Sequence, residues 1–296
     1  MRYLDAVTIT KLKGLRLSPK NLTHSSDMVG AHKKSTRGFS RDFFQHRPYV
    51  PGDDPRTLDW KAYARFDRFY VREFESENLF ATRIILDQSR SMLFRSDGNP
   101  SKWDYACRLA MALSWTLLSQ GDAVGLMTIS DRLEMEIPPR PGFPRLEILD
   151  ERLSQTNPLG MSAPETALPL AASKIKKRSL IVFISDLMGE TEQFIKGIIS
   201  LKTGRNDVVV FHVLDPRERD LNFEVPVIFD SLEEESELAV GDQEFRLSYA
   251  EEFEKQLKTY QSALHQNQIS HHLFSTDRPL EESFGRFIKK SVLGMR

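Results

Sequence analysis

Asp87, Ser89 and Ser91 set one carboxylate and two hydroxyls within five residues, in the run Arg83-Ile84-Ile85-Leu86-Asp87-Gln88-Ser89-Arg90-Ser91-Met92. Hard oxygen donors of this kind suit a hard divalent cation, magnesium first, with manganese and calcium as alternatives. One acid and two hydroxyls leave positions open around an octahedral ion, so a carboxylate from a partner could complete it. A second acid, Asp186, ends the run Ser179-Leu180-Ile181-Val182-Phe183-Ile184-Ser185 and would reach the same crevice directly or through water, provided the two runs are neighbours. Ser162, in the stretch Asn157-Pro158-Leu159-Gly160-Met161-Ser162-Ala163, offers a third hydroxyl, and Thr166 is its rival. An acid at Asp87 could instead attack a phosphoester. A phosphohydrolase of the haloacid-dehalogenase type wants a second acid two residues on to handle protons, and Ser89 stands there.

Position must come from the elements. The short apolar runs before Asp87 and Asp186 read as strands buried on both faces, as in a parallel sheet, whose ligands gather at the carboxyl ends of the strands. Ser101-Lys102-Trp103-Asp104 opens a predicted helix running to about Gln120: Trp103, Ala106, Leu109, Ala110, Leu113 and Leu117 recur at three- and four-residue spacing, and Gly121 closes it. Ala123 to Ser130 predicts the next strand, and Arg132 to Ile137 an antiparallel partner ending before Pro138-Pro139. Helices follow at 146–153, 164–175 and 192–201, and a strand at 207–214 ends at Asp215-Pro216. Edge strands are expected at 221–230 and 237–247, then a helix at 249–263, a strand at 269–274 and a closing helix at 280–292. His271 and His272 are adjacent in that last strand and face opposite sides, so they do not share an ion. The whole is a repeated strand–helix theme, an α/β architecture.

The composition is that of a soluble globular chain, with room for one large domain or two ordinary ones. No apolar run approaches the ~20 residues that span a bilayer, and the N-terminus lacks a signal-peptide core, so a cytoplasmic location is expected. The single cysteine, Cys107, falls inside the predicted helix and is expected to be an inert core residue. Residues 1–50 hold ten Lys or Arg against three acids, so within a net charge of −1 the first fifty residues carry +7 and the rest −8. A basic arm can bind nucleic acid, but these charges are dispersed and lack the aromatic interleaving of single-strand binders. Packing against the chain's own acids is the expected use.

Upstream of the first apolar strand lies Arg47-Pro48-Tyr49-Val50-Pro51-Gly52-Asp53-Asp54-Pro55-Arg56-Thr57-Leu58-Asp59-Trp60-Lys61-Ala62-Tyr63-Ala64-Arg65, rich in aromatics and charge together. Pro51-Gly52 demands a turn, Leu58 to Phe66 suits a short helix, and Phe69 to Phe74 a strand. Asp53, Asp54 and Asp59 beside Arg47, Arg56 and Arg65 suggest an Arg–carboxylate lattice pinning a long loop, or a recognition surface.

Two signatures together resemble known families. DQSRS after an apolar strand, then GMSAPETAL, then LIVFISD, resembles the von Willebrand factor A fold and its metal-ion-dependent adhesion site. That resemblance implies metal positions at Asp87, Ser89, Ser91, Ser162 and Asp186, although the family usually has threonine where this chain has Ser162. The string RPYVPGDDPRTLDW resembles the bacterial domain-of-unknown-function family fifty-eight, whose motif falls on Arg47, Tyr49, Gly52, Asp53, Asp54, Arg56, Asp59, Trp60 and Arg65. The resemblance covers roughly residues 30–290. It implies a doubly wound, mostly parallel Rossmann-type sheet at 79–296, with an N-terminal wrapping segment at 1–78 and added edge strands. It also implies a non-enzymatic, magnesium-dependent adaptor, because members are typically encoded beside MoxR-type AAA+ ATPases. Such an ATPase, or its client, is then the expected partner and the source of the completing carboxylate.

Overall fold

The wholly apolar runs become the central strands of one sheet. The structure is a computed structural model, and it describes residues 1–15, 17, 43–50, 58–74, 81–96, 98–176, 178–221, 227–230, 237–240 and 243–293. Two compact units divide the chain, Met1–Ser25 with Phe80–Arg296, and Ser26–Leu79. Of the segment 1–78, Met1–Ser25 goes with the larger unit.

In the larger unit, β3 (Ala81–Asp87), β4 (Ala123–Ile129), β6 (Leu180–Ser185), β7 (Asp207–Leu214) and β10 (Ser270–Ser275) run parallel, and β5 (Leu133–Arg140) pairs antiparallel with β4. The sheet order is β10-β7-β6-β3-β4-β5. From β3 the chain steps to β4 on one side and later crosses to β6 on the other. The carboxyl end of β3 is therefore the topological switch point, where open α/β sheets form a crevice.

Alternate residues of each strand face opposite layers. Ile84, Leu86, Val182, Ile184 and Phe211 join α1 (Ala6–Leu12), α3 (Lys102–Ser119), α4 (Pro144–Gln155) and α9 (Leu280–Leu293) in one core. Ile85, Met127, Ile181, Phe183 and Val210 join α5 (Pro164–Lys174), α6 (Thr191–Ser200) and α8 (Gln243–Gln266) in the other. Burial on both faces is why the strands read as unbroken apolar runs.

Several boundaries differ from expectation, each for a local reason. The first helix, α1, starts where Asp5 caps it by accepting the Thr8 N–H at 2.7 Å. Edge strand β5 continues through Pro138-Pro139, since an edge tolerates missing N–H donors. A short helix, α7 (Pro216–Asp220), forms where only a strand end was expected; Asp215 and Glu218 build its capping box. The expected edge strands after it are β8 (Val227–Asp230) and β9 (Glu237–Val240), which pair with each other in a separate two-stranded sheet and add nothing to the main one.

The described part of the basic arm packs on the acidic body. Tyr3, Leu4, Leu12 and Leu17 are buried in the first core. The Arg2 and Tyr3 N–H groups both donate to the Asp150 carboxylate, at 2.8 and 2.9 Å, and Lys11 lies 4.0 Å from Glu281.

The smaller unit holds β1 (Phe43–Pro48) and β2 (Tyr70–Phe74), paired antiparallel, with α2 (Trp60–Phe66) between them in sequence.

Candidate functional site

Parallel register brings the acids together. Leu86 of β3 stands opposite Ile184 of β6, so Asp87 comes level with Ser185, and Asp186 is one step beyond. Asp87 Oδ2 accepts the Ser185 hydroxyl at 2.7 Å, and Oδ1 accepts the Ser89 N–H at 2.9 Å. Ser89 Oγ and Ser91 Oγ are 3.0 Å apart. Asp87 and Ser89 are buried while Ser91 is half-buried, which leaves Ser91 as the side of the cluster nearer solvent. The Asp87 carboxyl is pushed up to about 6, by burial first and then by the negative charge of Asp186, against the bonds from Ser185 and Ser89.

The loop bearing Ser162 is joined to this cluster by backbone. Ser89 and Gly160 form a parallel bridge, and the Arg90 N–H donates to the Gly160 carbonyl at 2.9 Å. Arg90 Nε donates to the Leu159 carbonyl at 3.2 Å, and Gln88 Nε2 to that of Asn157 at 3.4 Å. Only glycine fits at 160, since a Cβ there would sit 2.2 Å from Ser130 Cβ and 2.5 Å from its Oγ. Ser162, two residues on, is half-buried. Its rival Thr166 is directed elsewhere, its hydroxyl lying 3.1 Å from the Ala163 carbonyl and 3.2 Å from that of Asp131. Leu159 and Met161, flanking Gly160, are exposed.

Behind the cluster sits a buried ion network that sequence reasoning missed. Lys102, in the first turn of α3, has a side chain 0% exposed, and its Nζ donates to Asp186 Oδ2 at 2.6 Å and to Glu218 Oε1. Burial works against the ammonium, but the Asp186 and Glu218 carboxylates outweigh it and hold the Lys102 pKa above its ordinary value. Glu218, sharing that one ammonium, is pushed up to about 6 by burial, with Lys102 opposing and Asp186 adding to the rise. Asp186 Oδ1 accepts the Met188 N–H at 3.2 Å. Asp215 is buried too, but N–H and O–H donors meet its charge: Ser96 N at 3.1 Å, Arg217 N at 3.0 Å and Thr276 Oγ1 at 3.0 Å.

His212 extends the network toward the sheet edge. Its Nε2 lies 2.8 Å from the Asp186 carbonyl and its Nδ1 3.1 Å from His271 Nε2. A carbonyl only accepts, so His212 donates from Nε2, receives at Nδ1, and His271 donates. Burial lowers both histidines, His212 to about 3 with His271 adding to the fall, and His271 to about 4. His272 faces the other way, its ring 4.8 Å from that of Phe287, as the alternation of a strand requires.

These donors fit a hard cation. Asp186 and Glu218 share a single buried ammonium, and Asp87, buried beside them, has uncharged partners, the Ser185 hydroxyl and the Ser89 N–H, an excess of negative charge in a place where uncompensated charge is costly. Asp87, Ser89 and Ser91 supply hard oxygens and sit together. Asp186 turns one oxygen onto Lys102. Among the described residues no group of three or more His, Cys, Asp and Glu could hold a metal ion, so a cation here would depend on the serine hydroxyls.

Lys102 had a legible signal, since 102, 106, 109, 113 and 117 continue the buried stripe of α3 and a lysine on such a stripe calls for a partner. Glu218 had none, because Asp215-Pro216 read as a strand end.

The motif residues of the smaller unit lie on a different scaffold. Arg47 falls in β1, opposite Val71. Asp59 caps α2, accepting the Lys61 and Ala62 N–H groups at 2.9 and 3.1 Å. Tyr49 packs edge-on to Phe69, which stacks on Tyr63 at 4.5 Å between centroids. Trp60 is 62% exposed, and Arg65 is exposed as well. Gly52, Asp53, Asp54 and Arg56 lie outside the described residues, and so does most of the expected Arg–carboxylate lattice.

The family model described as "Protein of unknown function DUF58" matches residues 45–259. The chain belongs to the DUF58 family. An uncharacterized protein of Mycobacterium tuberculosis (strain H37Rv) is 25% identical to this DUF58 chain over 181 residues, covering 60% of the chain and 56% of the relative. The match thus spans little more than half the relative's length. Among solved structures, an aerotolerance-related membrane protein from Bacteroides fragilis NCTC 9343 is similar at TM-score 0.45 and 21% identity, covering 73% of this chain and all of that one. The von Willebrand A domain of SpRpn10 is similar at TM-score 0.38 and 14% identity, covering 70% of this chain and 95% of that one. Among the described residues no helix is long and apolar enough to cross a membrane.

Proposed function

We propose that this DUF58 chain is a non-enzymatic protein-binding module whose surface is completed by magnesium, with manganese or calcium as substitutes. Asp87, Ser89 and Ser91 would hold the ion, Ser162 would add a hydroxyl from the adjoining loop, and Asp186 would act from behind. The ion supplies an electrophilic position that a partner's carboxylate can occupy. The chain's own residues do the rest: Ser185 and the Ser89 N–H orient Asp87, and the Gly160 bridge keeps the two loops side by side. The partner we favour is a MoxR-type AAA+ ATPase or its client, in chaperone or complex-assembly work. The observation that carries this reading is the gathering of one carboxylate and two hydroxyls at the switch point of the sheet, under an excess of buried negative charge.

The test is thermal unfolding and partner capture, each with and without magnesium. Wild type gains stability with saturable magnesium and captures its partner only in its presence; Asp87→Ala loses both responses while keeping its circular dichroism spectrum. Capture that survives both EDTA and Asp87→Ala sinks the metal bridge. Magnesium-dependent turnover of p-nitrophenyl phosphate that Asp87→Ala abolishes would replace it with a phosphohydrolase.

A further inference from the structure

We infer that Lys102 is an internal counter-cation that keeps Asp186 from binding the metal, making the site weak until a partner adds its carboxylate. This rests on the metal-binding reading above.

A lysine on the apolar stripe of a buried helix is costly unless its charge is met, and a leucine or methionine would fill the place without that cost. Lys102 is fully buried, and both of its ionic partners come from outside its own helix: Asp186 from the loop after β6 and Glu218 from α7. Its bond to Asp186 is 2.6 Å and occupies the carboxylate oxygen not held by Met188. A cation beside Asp87, Ser89 and Ser91 therefore meets one carboxylate whose charge is unmatched, while the second belongs to an ion pair.

Like charges sharing one buried network repel, so the ammonium on Asp186 also opposes a cation beside Asp87. A site of this design binds its ion loosely alone and more firmly when an outside carboxylate restores the missing charge, which suits reversible attachment. Were Asp186 itself a ligand, Lys102 would have to release it, leaving an ammonium buried with Glu218 alone.

Removing the ammonium should then tighten magnesium binding. Isothermal titration of the whole chain, without any partner, reads this directly. Lys102→Met is expected to bind magnesium ~10-fold or more tightly than wild type, by the size of close charge–charge terms in partly buried sites. Because that variant leaves two carboxylates without a cation, the second variant is Lys102→Met with Glu218→Gln. It removes one charge of each sign, so the net charge of the network is that of wild type, and it too is expected to bind more tightly. Wild-type or weaker affinity in the folded double variant overturns the role given to Lys102. If wild type binds magnesium and Asp87→Ala does not, the metal reading stands even where the Lys102 role falls. If neither wild type nor either Lys102 variant binds, both fall together.

Discussion

At the scale of residues, the site depends on one contact that admits no side chain. Gly160 approaches Ser130 so closely that a Cβ would overlap it at 2.2 Å, and this approach is what lets Ser89 pair with Gly160. Gly160→Ala should therefore push the Ser162 loop away, at a cost of ~1–3 kcal/mol in overpacking. Thermal unfolding should show a lower midpoint, with a smaller magnesium response. Ser130→Gly removes the atoms in the way, so the double variant should be more stable than Gly160→Ala alone; strictly additive losses would mean the clash is not the cause. Asp87, Ser89 and Ser91 were legible because their chemistry lies in adjacent residues. Glu218 and His212 were not, since their roles come from strands and helices that are distant in sequence, and Lys102 showed only as a lysine on an apolar stripe, its partners lying far along the chain. His212 is one of eight buried residues of β7, and nothing local marks it as the one that bonds the Asp186 carbonyl. Cys107 is, as expected, a buried residue of α3, its thiol pushed well above its ordinary value by burial.

At the scale of elements, the central strands were readable because burial on both faces leaves no polar position in them, and α3 because its stripe keeps helical spacing. What failed were segments whose form depends on pairing. The runs 221–230 and 237–247 were expected as edge strands, yet β8 and β9 pair with each other apart from the main sheet. Strand β1 was missed altogether, for Phe43–Pro48 has no alternation and is paired only because β2 lies antiparallel to it. In that smaller unit one short helix has its first turn held by a single side chain. Asp59 caps α2 with two bonds, and α2 has only 7 residues, too few to be stable alone. Asp59→Ala should cost ~0.5–2 kcal/mol, and Asp59→Asn or Asp59→Ser, which can still cap, much less. Hydrogen exchange at the Lys61 and Ala62 amides reads this directly: unchanged protection in Asp59→Ala would show that the cap does not hold the helix.

At the scale of the molecule, the sheet is completed by residues that precede it by some seventy positions. Leu12 in α1 is buried beside α3 and α9, and Thr8 on the same helix donates to Glu281 at 3.0 Å. The N-terminal residues described are thus part of the body that positions Asp87, where the sequence led to a basic wrapping segment packed against the chain's own acids. Charge predicted the attachment but not its strength, because apolar burial and not ion pairing dominates it: the Lys11–Glu281 pair is long and half exposed, and such pairs contribute ~0–1 kcal/mol. Leu12→Ala should therefore destabilise the larger unit by ~2–5 kcal/mol, while Lys11→Ala costs under ~1 kcal/mol. In a protein of this size ~1 kcal/mol corresponds to roughly 2–4 °C, so the two variants separate clearly in a melting curve. A Leu12→Ala midpoint within 2 °C of wild type would show that the N-terminal helix is an appendage and that the sheet holds its crevice without it.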